Sequence, residues 1–452
     1  MAVLLCWPIW LFDAVFVFAD TASYFRGGGS IWQTFFDLFG KPATATSGGS
    51  MAAPSEAATT LVADAENKST VGRSFTYSAG VYALHAIGGY GLVSFTQGLF
   101  VSLFIFALID DALLRRPLVL FLGLIALATA TTLPWFVVYL MPDIFAAVPI
   151  LFGILLIGPL SATTGWQRWF FAALSALAVS FHYGYPPLMA GVTAVALLCL
   201  MVRGSLTPAL GFAALLPVVF APLLNLAASS AVLDNPSATP LRLPILLARS
   251  LEDGPALWYL TEACPEANLA FCDAFGDDIP AYVGSFLWDE DGISKLSREQ
   301  MAQIREEEFT ILWRAFRAYP IAQTTSLLGN AAKQSVKIGT GNISGRLATE
   351  EFGIERLPPD APALRALQRY DTLVMWTSAI SAAICLGCLC FPRVRRRHGG
   401  TLLIVLSGLL ANAVIFGGLS APVERYQSRV IWLLSLMAVL MVPSLFSRGG
   451  PR

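Results

Sequence analysis

Long apolar stretches without charge constrain the fold of this chain more than any other feature of its sequence. Residues 208–228, PALGFAALLPVVFAPLLNLAA, contain no charged side chain. Several other stretches of about 18 to 22 residues are almost as apolar, and helices of that length cross a hydrocarbon core of roughly 30 Å. Charged residues make up 13% of the chain, against about 25% in soluble domains, so a soluble fold could not bury this much apolar surface. The sequence therefore predicts an all-α polytopic membrane protein.

We predict about ten transmembrane helices. Their ranges are 2–19, 91–110, 117–138, 143–161, 168–183, 187–202, 208–228, 372–391, 401–420 and 430–446. Cationic side chains beside membrane helices favour the cytoplasm. With a cytoplasmic N-terminus, every predicted inner loop is basic, and the short outer turns 139–142 and 184–186 carry no Lys or Arg. The basic residues of the inner loops are Arg115, Arg116, Arg168, Arg203, Arg393, Arg395, Arg396 and Arg397, with Arg448 and Arg452 in the tail. This pattern predicts that both termini are cytoplasmic.

The predicted topology divides the chain into three parts and places two long segments outside the cytoplasm. Residues 1–228 form an N-terminal transmembrane module whose first outer loop spans 20–90. Residues 229–371 form a small extracytoplasmic helical domain, and residues 372–452 form the C-terminal transmembrane helices. Within the first loop, residues 42–69 are rich in Ala, Ser, Thr and Gly, a composition typical of a mobile linker.

The second outer segment has the sequence features of a folded domain. Ser297 and Gln300 form a capping-box pattern ahead of apolar residues at helical spacing, and Pro320 would end that helix or start another. Cys264 and Cys272 lie eight residues apart on the predicted oxidising side. They predict a disulfide, with two free thiols as the alternative.

Asp20 is the first candidate site residue, because a carboxylate at the edge of a membrane span has a high cost in free energy. It follows the first predicted helix in ADTASYF, and Asp13, seven residues earlier, lies on the same helical face. Carboxylates within or at the edge of a membrane span usually face a cavity or a charged partner. The pair of Asp13 and Asp20 therefore suggests a polar cleft that opens to the outside. The alternative for Asp20 is a helix N-cap.

The last outer turn breaks the charge rule. Arg425 and Arg429 in APVERYQSRVIWLL are four residues apart, so one helical face presents both side chains. Guanidinium groups are suited to phosphate oxygens, and a lipid phosphate would lie at this depth. Pairing with Glu424 or with carboxylates of the second outer segment is the alternative.

Further site residues are predicted with simpler alternatives. Asp143 begins the fourth predicted helix, where a carboxylate also suits the helix dipole. His182 lies among aromatic residues in SFHYGYPP and could orient a substrate or be an interfacial histidine. Arg73 precedes re-entry into the membrane and could contact phosphate, and Tyr24 accompanies Asp20.

No zinc-ligand spacing or glycine-rich phosphate loop occurs, and the net charge of −1 gives no indication of a nucleic-acid partner.

Together these features resemble the GT-C superfamily of membrane glycosyltransferases that use polyprenyl-phosphate sugars. The resemblance lies in the acid of ADTASYF, the long first outer loop, RSFTY at 73–77 and the late RY of ERYQSRVIWLL. It implies that Asp20 is the general base and Arg425 the phosphate ligand, with Arg73 a poorer candidate. The chain has no second acid paired beside Asp20, so a divalent metal such as Mg or Mn is possible and not required.

The resemblance implies an inverting glycosyltransferase at the outer face of a bacterial cytoplasmic membrane. Its partners would be a polyprenyl-phosphate-linked sugar donor, a glycan, lipid or protein acceptor, and membrane lipid. A transporter or flippase of lipid-linked saccharide is the alternative from another class, and a polymerase or ligase remains open. A flippase should carry polar residues along several helices, whereas the predicted spans after the first are almost uncharged.

Overall fold

The computed structural model is nearly all helical over the residues that it describes. These residues are 1–12, 16–18, 20–39, 73–162, 165–233, 237–239, 242–264, 266–341, 343, 346–348, 354–356 and 362–446. Asp13 and the predicted linker 42–69 lie outside the described residues, as do Arg448 and Arg452.

Over its described residues, the first half contains twelve α-helices and a short 3₁₀ helix, Pro142–Ala147. They are α1 (Ala2–Leu5), α2 (Trp7–Phe12), α3 (Thr21–Phe39), α4 (Phe75–Ala107), α5 (Asp111–Leu114), α6 (Pro117–Thr129), α7 (Leu133–Val138), α8 (Val148–Ile157), α9 (Pro159–Ala162), α10 (Trp166–Ser180), α11 (Tyr185–Val202) and α12 (Pro208–Leu233). Helix α8, VPILFGILLI, is apolar on every side and all its residues are buried, so it lies in the centre of the core.

In the described part of the second half there are nine α-helices, a 3₁₀ turn at Ile293–Lys295, a π-helix and two short strands. The α-helices are α13 (Ile245–Asp253), α14 (Pro255–Ala263), α15 (Ala270–Phe275), α16 (Val283–Trp288), α17 (Arg298–Ala318), α18 (Pro320–Val336), α19 (Pro362–Leu389), α20 (Pro392–Asn412) and α21 (Glu424–Leu445). The π-helix Ala413–Gly418 continues α20. The strands β1 (Arg346–Ala348) and β2 (Ile354–Arg356) pair antiparallel, a small exception to the all-α prediction.

Six described helices are long and apolar enough to cross a membrane. They are Phe75–Ala107, Tyr185–Val202, Pro208–Ala231, Arg365–Leu389, Pro392–Gly418 and Glu424–Leu445. Each overlaps one of the predicted spans, and the chain is therefore a multi-pass helical membrane protein. The four other predicted spans, 2–19, 117–138, 143–161 and 168–183, correspond to shorter helices.

The prediction of one continuous helix over 2–19 is wrong. Helices α1 and α2 are separated at Cys6, and Phe16 is extended, with its carbonyl accepting a hydrogen bond from the Leu140 N–H at 2.9 Å. Pro8 has no N–H to donate to the carbonyl four residues earlier and lies in the first turn of α2, where no such bond is needed, so the break falls just before it. The backbone of Phe16 is therefore bonded to the protein interior in an extended conformation.

Other predicted boundaries also shift. The range 117–138 is divided between α6 and α7, and the predicted first outer loop contains α3 and the first half of α4. Helix α4 breaks at Gly88 and Gly89, where Gly89 has a φ of 65°. That φ lies in the left-handed region, which glycine adopts without steric cost. The last predicted span begins earlier than expected, at Glu424, so Arg425 and Arg429 lie on a helix.

Residues 243–315 pack around a hydrophobic cluster of their own, which includes Leu247, Phe271, Phe286 and Ile311. The predicted capping box of Ser297 and Gln300 is present at the start of α17. Helix α17 ends at Ala318 and α18 begins at Pro320, as the proline predicts.

Cys264 and Cys272 are joined by a disulfide, with their Cα atoms 5.1 Å apart. We expect mass analysis without reduction to find the two residues linked in one peptide. The chain-entropy estimate for so short a loop is roughly 2–3 kcal/mol of stabilisation. Recovery of both thiols in alkylated form from unreduced protein would contradict this prediction.

Candidate functional site

The site is built on residues 139–143, which lead from α7 into the first residues of the 3₁₀ helix in the protein interior. All five residues are buried. Buried backbone groups need hydrogen-bond partners, and neighbouring elements supply them. The partners of residues 140 and 142 are the Phe16 carbonyl, the Thr21 hydroxyl and the Tyr185 phenol, at 2.9, 3.1 and 2.8 Å. The side chain of Gln97 donates to the Tyr139 carbonyl at 3.1 Å. Residues before the segment in the chain and residues after it therefore both hold its backbone in place.

Asp143 lies at the start of the 3₁₀ helix and pairs with Arg429. The Arg429 guanidinium donates to Asp143 Oδ1 at 3.1 Å and to Asn412 Oδ1 at 3.1 Å. The ring of Phe416 lies 3.9 Å from its central carbon, a cation–π contact. The Arg429 side chain is 1% exposed. Its partners are within the protein, so we interpret Arg429 as a positioning residue for Asp143.

Arg425 lies one helical turn before Arg429 and shares the same carboxylate. Its Nε is 3.5 Å from Asp143 Oδ1, and its terminal nitrogen is 3.5 Å from the Tyr139 hydroxyl. The Phe18 ring packs against the guanidinium at 4.4 Å. The Arg425 side chain is 11% exposed, and its polar contacts are longer than those of Arg429. Arg425 is therefore the more accessible of the two arginines.

Asp20 pairs with Arg73 at the beginning of α4. The distance from Asp20 Oδ1 to the Arg73 guanidinium is 2.5 Å, and the side chains are 22% and 19% exposed. The backbone carbonyl of Asp20 accepts from the Tyr24 N–H at 3.2 Å, which starts α3. Within the described parts of the chain, no helix N–H donates to the Asp20 carboxylate, so the contacts favour the ion pair over the N-cap.

Tyr24 lies beside the first ion pair, with the central carbon of the Arg73 guanidinium 6.0 Å from the centre of its ring. Burial raises the pKa of the Tyr24 phenol. The positive charges of Arg73 and Arg425 lower this pKa, and the negative charges of Asp20 and Asp143 raise it. All four charged groups are thus close enough to Tyr24 to act on it. The pKa of Tyr139 is also raised by burial, and Arg425, Asp143 and Asp20 act on it in the same directions.

We call these five charged residues the Asp–Arg cluster: Asp20, Arg73, Asp143, Arg425 and Arg429. Three guanidinium groups face two carboxylates, which leaves one excess positive charge in a mostly buried region. Such a cluster can bind an anion, because the low dielectric of the surroundings strengthens the attraction.

His182 lies beside this cluster in the turn between α10 and α11. The Gly184 N–H donates to its Nδ1 at 3.0 Å, so the ring proton is on Nε2. The ring packs against Phe416 and Tyr185 with centroid distances of 5.5 and 5.0 Å. His182 therefore completes the set of predicted site residues, all of which the structure brings to one region.

Comparisons of the chain with protein-family models, with curated proteins and with solved structures gave no match.

Asp20 and Asp143 are each paired with arginine, so the two carboxylates do not form a pair open to a cation. Among the described residues, no three His, Cys, Asp or Glu side chains form a group that could hold a metal ion. Metal dependence therefore stays an open prediction.

Sequence reasoning missed Asn412 and Phe416, which complete the surroundings of Arg429. Asn412 is fully buried, and its amide also donates to the Tyr426 carbonyl at 2.7 Å. A polar side chain inside an apolar span is costly and usually has a role, so Asn412 could have been found on that ground. Phe416 lies on the π-helix, and no sequence signal predicted that widening of α20.

Proposed function

We propose that this chain is an inverting membrane glycosyltransferase of the GT-C type, with Asp20 as general base. It would transfer a sugar from a polyprenyl-phosphate donor to a glycan, lipid or protein acceptor at the outer face of a bacterial cytoplasmic membrane. The observation that carries the proposal is the Asp–Arg cluster, because it joins a partly exposed carboxylate to an anion-binding set of arginines.

The contacts of Asp20 and Arg73 suit this chemistry. Arg73 contacts Oδ1 of Asp20, and over the described residues Oδ2 accepts no hydrogen bond. Oδ2 can therefore receive the proton of an acceptor hydroxyl. The buried Nε of Arg73 has no hydrogen-bond partner among the described residues. This N–H is available for an oxygen of the donor.

The proposed reaction divides the roles between the two ends of the cluster. As the acceptor oxygen forms its bond to C1 of the sugar, its proton moves to Asp20, and the bond between C1 and the phosphate oxygen breaks. The polyprenyl phosphate leaves as an anion. Arg425 stabilises the negative charge that develops on the phosphate in the transition state, while Asp143 and Arg429 hold Arg425 in position.

The proposed topology has ten membrane passes and cytoplasmic termini. The shorter helices α1 and α2, α6 and α7, the 3₁₀ helix with α8, and α10 would complete the four passes that no long helix provides. The basic loops support this orientation. The donor's lipid tail fixes the depth of its phosphate, which agrees with a cluster at the outer ends of the helices.

We expect residue 277 to be extracytoplasmic. An Asp277→Cys variant should react in intact cells with a thiol reagent that does not cross the cytoplasmic membrane, since residue 277 is exposed. The native Cys390 is also exposed and precedes the basic run 393–397, so it is the matched control and should react only after permeabilisation. Peptide mass analysis reads both sites. Labelling with the two patterns exchanged would overturn the orientation.

The proposed function is tested by mass spectrometry of lipid-linked sugars and surface glycans with and without the gene. Loss of the gene should remove one sugar from the glycans and raise the level of its lipid-linked donor. Purified protein in nanodiscs should then release polyprenyl phosphate when it is given that donor and an acceptor. Movement of the donor between leaflets without release of polyprenyl phosphate would instead indicate a flippase.

A further inference from the structure

The connection between the π-helix and α21 is held by side chains from a distant part of the chain. Arg249 of α13 lies 3.5 Å from the Ser420 carbonyl, and Lys337, which follows α18, donates to the Pro422 carbonyl at 3.0 Å. This connection leads directly to Arg425. Its position therefore determines where the first turn of α21 begins.

Gln334 makes the closest of these contacts. Its amide nitrogen donates to the Val423 carbonyl at 2.9 Å, and its amide oxygen accepts from the Val423 N–H at 2.9 Å. Gln334 is fully buried, so loss of its amide would leave the Val423 N–H without its partner, whereas the Val423 carbonyl would keep the N–H of Tyr426 at 3.2 Å. The fit depends on Gly417, because a Cβ there would lie 2.2 Å from the Cβ of Gln334.

A second contact reaches α21 one turn later. The Gly339 N–H donates to the Ser428 hydroxyl at 2.9 Å, and that hydroxyl donates to the Gly339 carbonyl at 2.8 Å. A Cβ at Gly339 would lie 2.9 Å from a carboxylate oxygen of Glu424. The loop after α18 therefore lies closely against the helical turn that carries Arg425 and Arg429.

We propose that Arg249, Gln334, Lys337 and Gly339, which we call the clasp, position Arg425 for its ligand. The second predicted outer domain is then part of the anion-binding site and controls it. Residues that anchor the backbone on both sides of Arg425 limit the directions its side chain can take. The identity of the ligand, a lipid-borne phosphate, rests on the proposed function, whereas the positioning of Arg425 does not.

The experiment compares Gln334→Met with Gln323→Met. Both glutamines lie on α18, but Gln323 accepts a hydrogen bond from Ser250 and, in the described structure, makes no hydrogen bond to the connection that leads to α21. Purified proteins in nanodiscs are treated with phenylglyoxal, which modifies accessible arginines, and modification is read by peptide mass analysis. Arg73 provides an internal control, because no clasp residue contacts it in the described structure.

We expect Arg425 in Gln334→Met to react about tenfold faster than in the wild type, which corresponds to about 1.4 kcal/mol. Arg73 in that variant, and Arg425 in Gln323→Met, should keep their wild-type rates. Equal Arg425 rates in all three proteins would overturn the clasp. If Gln334→Met does not fold, Lys337→Met removes an exposed member of the clasp, and an unchanged Arg425 rate there would equally overturn it.

Polyprenyl phosphate then tests the ligand separately. Added to the wild-type protein, it should protect Arg425 from phenylglyoxal, and protection should be weaker in Gln334→Met. Absence of protection in the wild type would count against the proposed function, whereas a raised Arg425 rate in Gln334→Met would still support the clasp.

Discussion

Replacing Asp20 with Asn is expected to lower the rate of sugar transfer by about 10²–10⁴-fold, the usual contribution of a general base. Asparagine keeps the size of the side chain but cannot accept the acceptor's proton. Binding of the lipid donor should be largely retained, because Arg73 and Arg425 remain. The measurement is the release of polyprenyl phosphate in nanodiscs, with donor binding followed by native mass spectrometry.

The matched control is Asp110→Asn, which changes a carboxylate of an ion pair with Arg397 outside the cluster and should leave transfer unchanged. Arg425→Ala provides a contrast, because it should weaken donor binding and lower turnover together. Asparagine caps helices about as well as aspartate. Near-normal transfer by well-folded Asp20→Asn protein would therefore show that Asp20 has only a structural role.

Replacing Asp143 with Ala is expected to lower the free energy of unfolding by about 3–5 kcal/mol. The substitution leaves the guanidinium of Arg429, which is 1% exposed, without its carboxylate partner. An uncompensated buried charge is costly, and among the described residues no other carboxylate forms an ion pair with Arg429. The measurement is denaturant unfolding in detergent micelles, followed by tryptophan fluorescence.

Asp110→Ala is the control for this effect. Its ion pair with Arg397 is about one-third exposed, and exposed pairs contribute about 0–1 kcal/mol. Alanine also removes the N-cap hydrogen bond from the Leu113 N–H to Asp110 at 3.0 Å, which costs a further ~1 kcal/mol. The double variant Asp143→Ala/Arg429→Met should recover part of the lost stability, because the more deeply buried of the two unpaired guanidinium groups is then removed. A loss in Asp143→Ala no larger than that in Asp110→Ala would contradict the buried ion pair.

Hydropathy predicted the long helices well because each of them is apolar over its full length. Helix α12 and the span Pro392–Gly418 illustrate this, since both have a high mean hydropathy. Helix α12 continues even though it contains Pro217 and Pro222. The first predicted span failed because hydropathy does not register the missing N–H of Pro8 or the pairing of Phe16 with the distant segment 139–143.

The sequence also pointed to Asp20 and Arg425, since a charge at the edge of a membrane span is unusual enough to stand out. It did not reveal how the charges pair. Asp143 was interpreted through the helix dipole and Arg429 as a ligand contact, whereas the structure joins the two directly. Pairing of this kind depends on tertiary packing, and no local spacing encodes it.

The length of chain between Asp143 and Arg429 has a consequence for biosynthesis. The two partners are 286 residues apart, so at about 5–20 residues per second the ribosome makes the arginine about 15–60 s after the aspartate. During that interval, the carboxylate has neither Arg425 nor Arg429 to compensate it in the membrane. A nascent chain that stops before Glu424 keeps this uncompensated acid and exposes the surface that α21 would cover. Insertion of α21 is therefore the step that compensates this acid, and quality-control proteases can recognise molecules in which that step has failed.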